Sequence, residues 1–211
     1  MQKIFTYMAQ NADLLLLYTG QHILMVIVGV LAALIVGTLL GILCSRYPRL
    51  APVIISIANI IQIIPSLALL ALLMIYFGLG FYTITIGLFL YSLLPIIRHT
   101  YVGLELVDKS LTEAGRGIGM TYLQLLTKVQ LPMAFPFIMA GLRIAAVIAI
   151  GVAALAPFVG GDGLGREIFS GINSRNYVRI YVGAIPACVL AILADLILGR
   201  LEKKSKFTSV K

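Results

Sequence analysis

Long apolar runs separated by short polar gaps dominate the chain. A helix that crosses a bilayer needs about 20 apolar residues. Five runs qualify: roughly His22–Cys44, Ala51–Phe77 (interrupted by Pro65), Leu79–Ile97, Met133–Val159 and Val178–Gly199. This pattern predicts an all-α membrane protein of about five transmembrane helices, a single transmembrane domain over 1–211. Between the third and fourth runs lies a polar insert, 105–132, whose heart is "EAGRGIGMTYLQLLTKVQLP", Glu113 to Pro132. A polar stretch, 160–177, joins the fourth and fifth. "LLLLY", Leu14–Tyr18, either lengthens the first span or lies at the outer interface as a short amphipathic helix.

Composition strengthens the membrane reading. The chain is 61% hydrophobic and 11% charged, with mean hydropathy +1.05, against about 25% charged in soluble domains. The net charge of +8 does not indicate nucleic acid, because no basic stripe with interleaved aromatics occurs. The charges sit between the spans, where they report topology. With the insert placed in the cytoplasm, Arg46, Arg49, Arg98, Lys109, Arg116, Lys128, Arg200, Lys203, Lys204, Lys206 and Lys211 fall inside. Lys3, Arg166, Arg175 and Arg179 fall outside, and Arg143 lies within a span. Positive residues favour the inner side, so the expected orientation is N-terminus out and C-terminus in, in a cell's inner membrane. Cys44 and Cys188 lie in apolar runs without metal spacing, so neither a disulfide nor a metal site is expected. "MQKIFTYMAQNAD" lacks the order of a cleaved leader.

The insert carries two helix-start signals. Ser110-Leu-Thr-Glu113 and Thr121-Tyr-Leu-Gln124 both read as capping boxes. Gly117 and Gly119 offer the left-handed turn between two short helices, and Pro132 marks the next span's first turn. Leu123, Leu126 and Val129 are expected on one face, an apolar strip suited to a partner's groove. The spacing Glu113-Ala114-Gly115, Gly119, Val129-Gln130-Leu131-Pro132 resembles the "EAA" loop of binding-protein-dependent ABC importer permeases. That pattern reads Glu-Ala-Ala, three residues, Gly, nine residues, Ile-x-Leu-Pro. Here Gly115 stands for the second Ala and Val129 for the Ile; Gly115 weakens a helix by up to about 1 kcal/mol relative to Ala.

The resemblance implies a type I ABC importer permease fold. It implies that Glu113, Ala114, Gly115, Gly119, Leu123, Leu126, Leu131 and Pro132 form a cytoplasmic coupling helix-turn-helix seated in a separate ATP-binding subunit. ATP and Mg would then belong to that subunit, with no cofactor in this chain. The chain has no GxxxxGK[ST] phosphate loop; "GGDGLGR", Gly160–Arg166, lacks its Lys-Ser/Thr end. A substrate-binding protein and a second permease chain, the same or similar, complete the implied assembly in the lipid. "NIIQIIPSLALLALL", "LFLYSLLPIIRHTYVGL" and "FVGGDGLGREIFSGI" resemble the glycine betaine, carnitine and choline branch. His99 stands where that branch is expected to carry Asn.

Several polar residues inside the runs need an account. Asn59, Gln62 and Pro65 fall in the second, where they either line a pathway or bond between helices. A charge at Arg143 needs a partner or water, and Asp195, at a depth differing by about 9 Å at 1.5 Å per residue, is the expected structural partner. In the outer stretch, Gly165-Arg166-Glu167 opens a short helix, and the segment either forms the mouth touched by the binding protein or simply connects. The alternatives are a methionine or other amino-acid permease, an intramembrane enzyme and a passive channel. The enzyme lacks HExxH and GxSxG, and a channel has no need of the insert.

Overall fold

The computed structural model describes residues 2–208, with side chains described as far as Lys204. The Lys206 side chain and Lys211, both counted in the orientation argument, lie outside the described part. The helices are α1 (Gln2–Gln10), α2 (Ala12–Arg46), α3 (Ala51–Ile63), α4 (Ser66–Phe77), α5 (Phe81–Glu105), α6 (Lys109–Gly117), α7 (Tyr122–Leu125), α8 (Leu131–Ala153), α9 (Gly165–Asn173) and α10 (Tyr177–Thr208). A π turn, Leu126–Gln130, joins α7 to α8, and a 3-10 turn, Ala156–Val159, follows α8.

Among the described residues, four helical stretches are long and apolar enough to cross a bilayer: α2, α5, the continuous Tyr122–Ala153, and α10. The run predicted as one span over 51–77 is instead a broken pair, with α3 and α4 meeting at 98°. Pro65 causes the break. It has no N–H to give, and it pushes the preceding Ile64 to φ −59°, ψ 128°, outside the helical region. "LLLLY" lies inside α2 and lengthens it to 35 residues, about 52 Å at 1.5 Å per residue. α2 therefore protrudes beyond a hydrocarbon layer of about 30 Å.

The core centres on α5, which packs most extensively against α2 and α8. On α2, Gly29, Ala33, Gly37 and Gly41 recur every fourth residue and all are buried. A side chain on Gly41 would put its Cβ 2.5 Å from the Thr100 Cβ of α5. In lipid, helices gain little from excluding water. They associate through such small-residue seams, which bring backbones close and multiply dispersion contacts. The opposite face of α2, with Leu31, Ile35 and Leu39, is exposed, as are Ile192, Leu193 and Ile197 of α10; these are surfaces suited to acyl chains.

Candidate functional site

The insert folds as a hook at one end of the bundle. α6 starts at Asp108, not at Ser110: the Asp108 carboxylate accepts the Ser110 amide at 2.8 Å. That bond, first from the Ser110 backbone, holds the Asp108 carboxyl below its ordinary value. The expected Ser110–Glu113 box does not form, because Asp108 already takes the first free amide, and Glu113 faces outward beside exposed Ala114. The second box is present as expected: Thr121 accepts from the Gln124 amide at 3.4 Å, and Gln124 accepts from the Thr121 amide at 2.9 Å. Gly119 alone makes the left-handed turn, at φ 82°, while Gly117 ends α6. Gly115 is buried, and a Cβ there would lie 2.7 Å from the Leu125 side chain, so glycine lets the two hook helices close on one another.

Pro132 lies in the first turn of α8, as expected, but no gap separates that helix from the hook, since Tyr122–Ala153 is continuous. Pro132 has no N–H to give to the carbonyl of Lys128, and the chain meets this with the π turn, where the Leu131 amide donates to Leu126. Leu126 turns inward against Leu104 and Ala134, with Leu131 packed beside it, while Leu123 stays 66% exposed. Leu126 is therefore part of the hook's root and not of its outer strip. The exposed apolar tip consists of Leu111, Ile118, Tyr122 and Leu123. Ile118 escaped notice in the sequence because it sits in a glycine-rich turn with no periodicity to mark it.

A second constellation pins the helix break. Pro95 lies inside α5 and cannot donate to the carbonyl of Tyr91, four residues earlier. The Gln62 amide of α3 donates to that carbonyl at 3.4 Å. In return, the Tyr91 hydroxyl donates to the carbonyl of Ile64, at the break itself. The carbonyl that Pro95 leaves open and the carbonyl at the Pro65 break are thus covered by two side chains across one interface. Asn59 is half-buried on the same helix as Gln62, and Pro65 is exposed.

Arg143 and Asp195 meet in a two-pronged pair. Nε donates to Oδ1 at 2.6 Å and Nη2 to Oδ2 at 2.8 Å, and Glu202 adds a contact at 3.4 Å. The partnership expected from the sequence is present, and α10 continues as helix past the expected end of the span to Thr208. A charge pair with this geometry is the form in which arginine is tolerated at membrane depth.

At the far end, α9 begins at Gly165, as its sequence suggests. The sequence reading missed its anchor. Glu167 is 1% exposed and accepts from Arg179 Nε at 2.8 Å and Nη2 at 2.9 Å. The Tyr7 hydroxyl of α1 donates to the same carboxylate at 3.2 Å. Burial, then the Glu167 charge, push the Tyr7 phenol above its usual value. The pairing spans a turn between two helices, where sequence spacing carries no signal. His22 is fully buried, with Nε2–H donating to the carbonyl of Ile150 at 3.1 Å, and His99 Nδ1–H donates to that of Pro95 at 2.8 Å. Among the described residues no cluster of metal-ligating side chains occurs.

Residues 29–207 match the model of the binding-protein-dependent transport system inner membrane component, and the chain belongs to that family. It is 48% identical over 204 residues to the glycine betaine/carnitine/choline transport system permease protein OpuCD of Bacillus subtilis, covering 96% of this chain and 89% of that one. It is 41% identical to OpuCB, a permease protein of the same description from the same organism, covering 97% and 94%. The fold matches a chain of the inward-facing MetNI methionine ABC transporter with TM-score 0.83 at 22% identity, covering 93% and 98%. At that identity the likeness speaks for the type I importer permease fold alone.

Proposed function

We propose that the chain is the membrane-spanning permease of an ABC importer for a quaternary-ammonium osmoprotectant: glycine betaine, carnitine or choline. The carrying observation is end-to-end identity of 48% and 41% with permeases so described. The hook supports the rest. Its exposed tip, Leu111, Ile118, Tyr122 and Leu123, is an apolar strip framed by Glu113 and Arg116, suited to a cleft in a separate ATP-binding subunit. That subunit binds ATP and Mg; this chain has no phosphate loop and is not an enzyme.

In this reading the hook lies in the cytoplasm, with the N-terminus outside and the C-terminus inside. A binding protein delivers solute at the α9 end, whose fixed shape is set by the Glu167–Arg179–Tyr7 cluster. Closure of the ATPase dimer moves the hook, and Tyr122–Ala153, being continuous with it, moves with it. Asn59 and Pro65 line the pathway where α3 and α4 bend, and Gln62, proposed from the sequence as a third lining residue, serves there by pinning the bend to α5. Relatives OpuCD and OpuCB share one system description in one organism, which supports pairing with a second, similar permease. The Arg143–Asp195 pair holds α8 to α10 and is structural.

The test is co-expression with the ATP-binding subunit and the binding protein, followed by uptake of labelled glycine betaine, carnitine, choline and methionine into vesicles. The reading expects ATP-dependent uptake of at least one quaternary ammonium and none of methionine. Uptake of methionine alone would transfer the chain to an amino-acid importer.

A further inference from the structure

The hook has a contact that its own helix does not explain. Arg46, in the last turn of α2, places its guanidinium 4.4 Å from the ring centroid of Tyr122, the first residue of α7, and 5.4 Å from that of Tyr47. Four residues earlier on the same face of α2, Ile42 packs into the cluster of Leu104, Leu126 and Ala134 at the hook's root. Between them, Ser45 donates to Glu105 at the end of α5, at 3.1 Å. One end of α2 is therefore fastened to the hook, to its root and to α5.

The position of the Tyr122 contact matters. The hook enters α8 through the π turn at Leu126–Gln130, a loosened stretch of helix of the kind found at functional joints. Helix runs on through this joint, so α8 moves with the hook, and the π turn is a place on that path where part of a rotation can be taken up. Tyr122 lies on the hook side of the joint, so the Arg46 contact bypasses it. Beyond Arg46, α2 is one helix without proline for 35 residues. It is locked to α5 through Gly41, Gly37 and Gly29, where an added Cβ would come within 2.5, 2.9 and 2.8 Å of α5 side chains. Toward its other end, His22 bonds to the carbonyl of Ile150 at 3.1 Å. Gly163, at φ 111°, lies so close that its Cβ would sit 3.2 Å from Met25 and 3.4 Å from His22. A rod that starts at the hook thus ends against the loop leading into α9.

We propose that Arg46 and Tyr122 form a positioning contact that makes α2 a second transmission rod, carrying hook motion past the π joint to the α5 seam and the Gly163 loop. This rests on the functional reading above.

The test measures solute imported per ATP hydrolysed by the reconstituted transporter. Arg46→Gln, which leaves the docking tip untouched, is expected to lower that ratio about two- to fivefold, the range of one exposed cation–π contact, while the ATP-binding subunit stays bound and hydrolysis continues; Tyr122→Leu, whose ring also belongs to the tip, is expected to lower the ratio as far when it is normalised to the ATP-binding subunit retained. Tyr122→Phe keeps the ring and is expected to match the original chain; Arg46→Lys keeps the cation and falls between. The Arg46→Gln/Tyr122→Leu double variant is expected to be no worse than either single change. An unchanged ratio in both single variants, equal losses in Tyr122→Phe and Tyr122→Leu, or additive losses in the double variant would overturn the proposal. Failure of the functional reading looks different: the unaltered chain retains no ATP-binding subunit and imports no solute, which removes the motion α2 would carry.

Discussion

Alanine at Gly41 probes the α2–α5 seam at its tightest point. The added Cβ would fall 2.5 Å from Thr100 Cβ, 2.7 Å from Thr100 Cγ2 and 3.0 Å from the carbonyl of Ile97. Carbon atoms pack best at about 3.5–4.0 Å, so the two helices must separate by about 1 Å. Thr100 Cβ and the Ile97 carbonyl move only with the α5 backbone, and no rotamer change relieves them. Overpacking of this kind costs about 1–3 kcal/mol. Alanine also favours helix over glycine by up to about 1 kcal/mol, which partly hides the clash. Gly20, on the same helix, has nothing within 4 Å of an added Cβ, so Gly20→Ala reports the propensity gain alone. The difference between the two variants isolates the clash. At about 2–4 °C per kcal/mol for a chain of this size, Gly41→Ala is expected to melt about 2–12 °C below Gly20→Ala. Thermal melting of the detergent-solubilised protein, followed by fluorescence-detected gel filtration, reads this directly. A Thr100→Gly background removes the nearest atoms and is expected to shrink the difference. Gly41→Ala melting no lower than Gly20→Ala, with no relief from Thr100→Gly, would refute the close-seam account.

Other perturbations reach the remaining parts. Arg143→Asp combined with Asp195→Arg is expected to restore more membrane-inserted protein than either change alone, measured by quantitative immunoblot; equal loss in all three would reject the pairing. Gly119→Val forces a β-branched residue to φ 82°, where even an ordinary side chain costs about 1–2 kcal/mol; uptake is expected to vanish while the chain stays in the membrane. Glu167→Ala leaves the Arg179 guanidinium without its carboxylate, at a cost of about 1–3 kcal/mol, and is expected to lower the melting temperature and expose α1 to protease. The Asp108 cap titrates with a definite sign. Its folded value is depressed by the Ser110 amide, so its contribution is present above the ordinary aspartate value of about 3.9 and is lost as pH falls through the folded value. Acid-induced fraying of α6, followed by hydrogen exchange at the 110–112 amides, is expected to disappear in Asp108→Ala, which is frayed throughout.

The spans were legible because lipid leaves a blunt mark: long apolar runs have no other solvent. Their ends were less so. Hydropathy does not see that Pro65 turns one run into two helices at 98°, or that α2 and α10 run past the bilayer as ordinary helix. In the hook, Thr121–Gln124 was legible as a cap because the box is a two-residue signal. Asp108 was not, since Ser110 two residues on offers the same chemistry. Leu126 was placed on the outer strip by helical spacing from Leu123, but the boundary of the strip falls between them, where Leu126 meets Leu104 and Ala134 of neighbouring helices. Arg143 and Asp195 found each other from sequence because buried charge demands a partner. Glu167 and Arg179 did not, because each lies in a stretch polar enough to need none. The pinning of the α3–α4 break by Gln62 and Tyr91 depends on which carbonyls two prolines leave open across a helix interface, and only the three-dimensional structure brings those together.

The central claim is that the hook faces the cytoplasm and is gripped there by the ATP-binding subunit. A chain with Cys44 and Cys188 replaced and Ile118→Cys introduced at the exposed tip puts one reactive thiol on the hook. A membrane-impermeant maleimide is predicted to label it in inverted vesicles and not in intact cells, and bound ATP-binding subunit is predicted to block the labelling. Labelling from outside intact cells would put the hook on the wrong face and contradict the account.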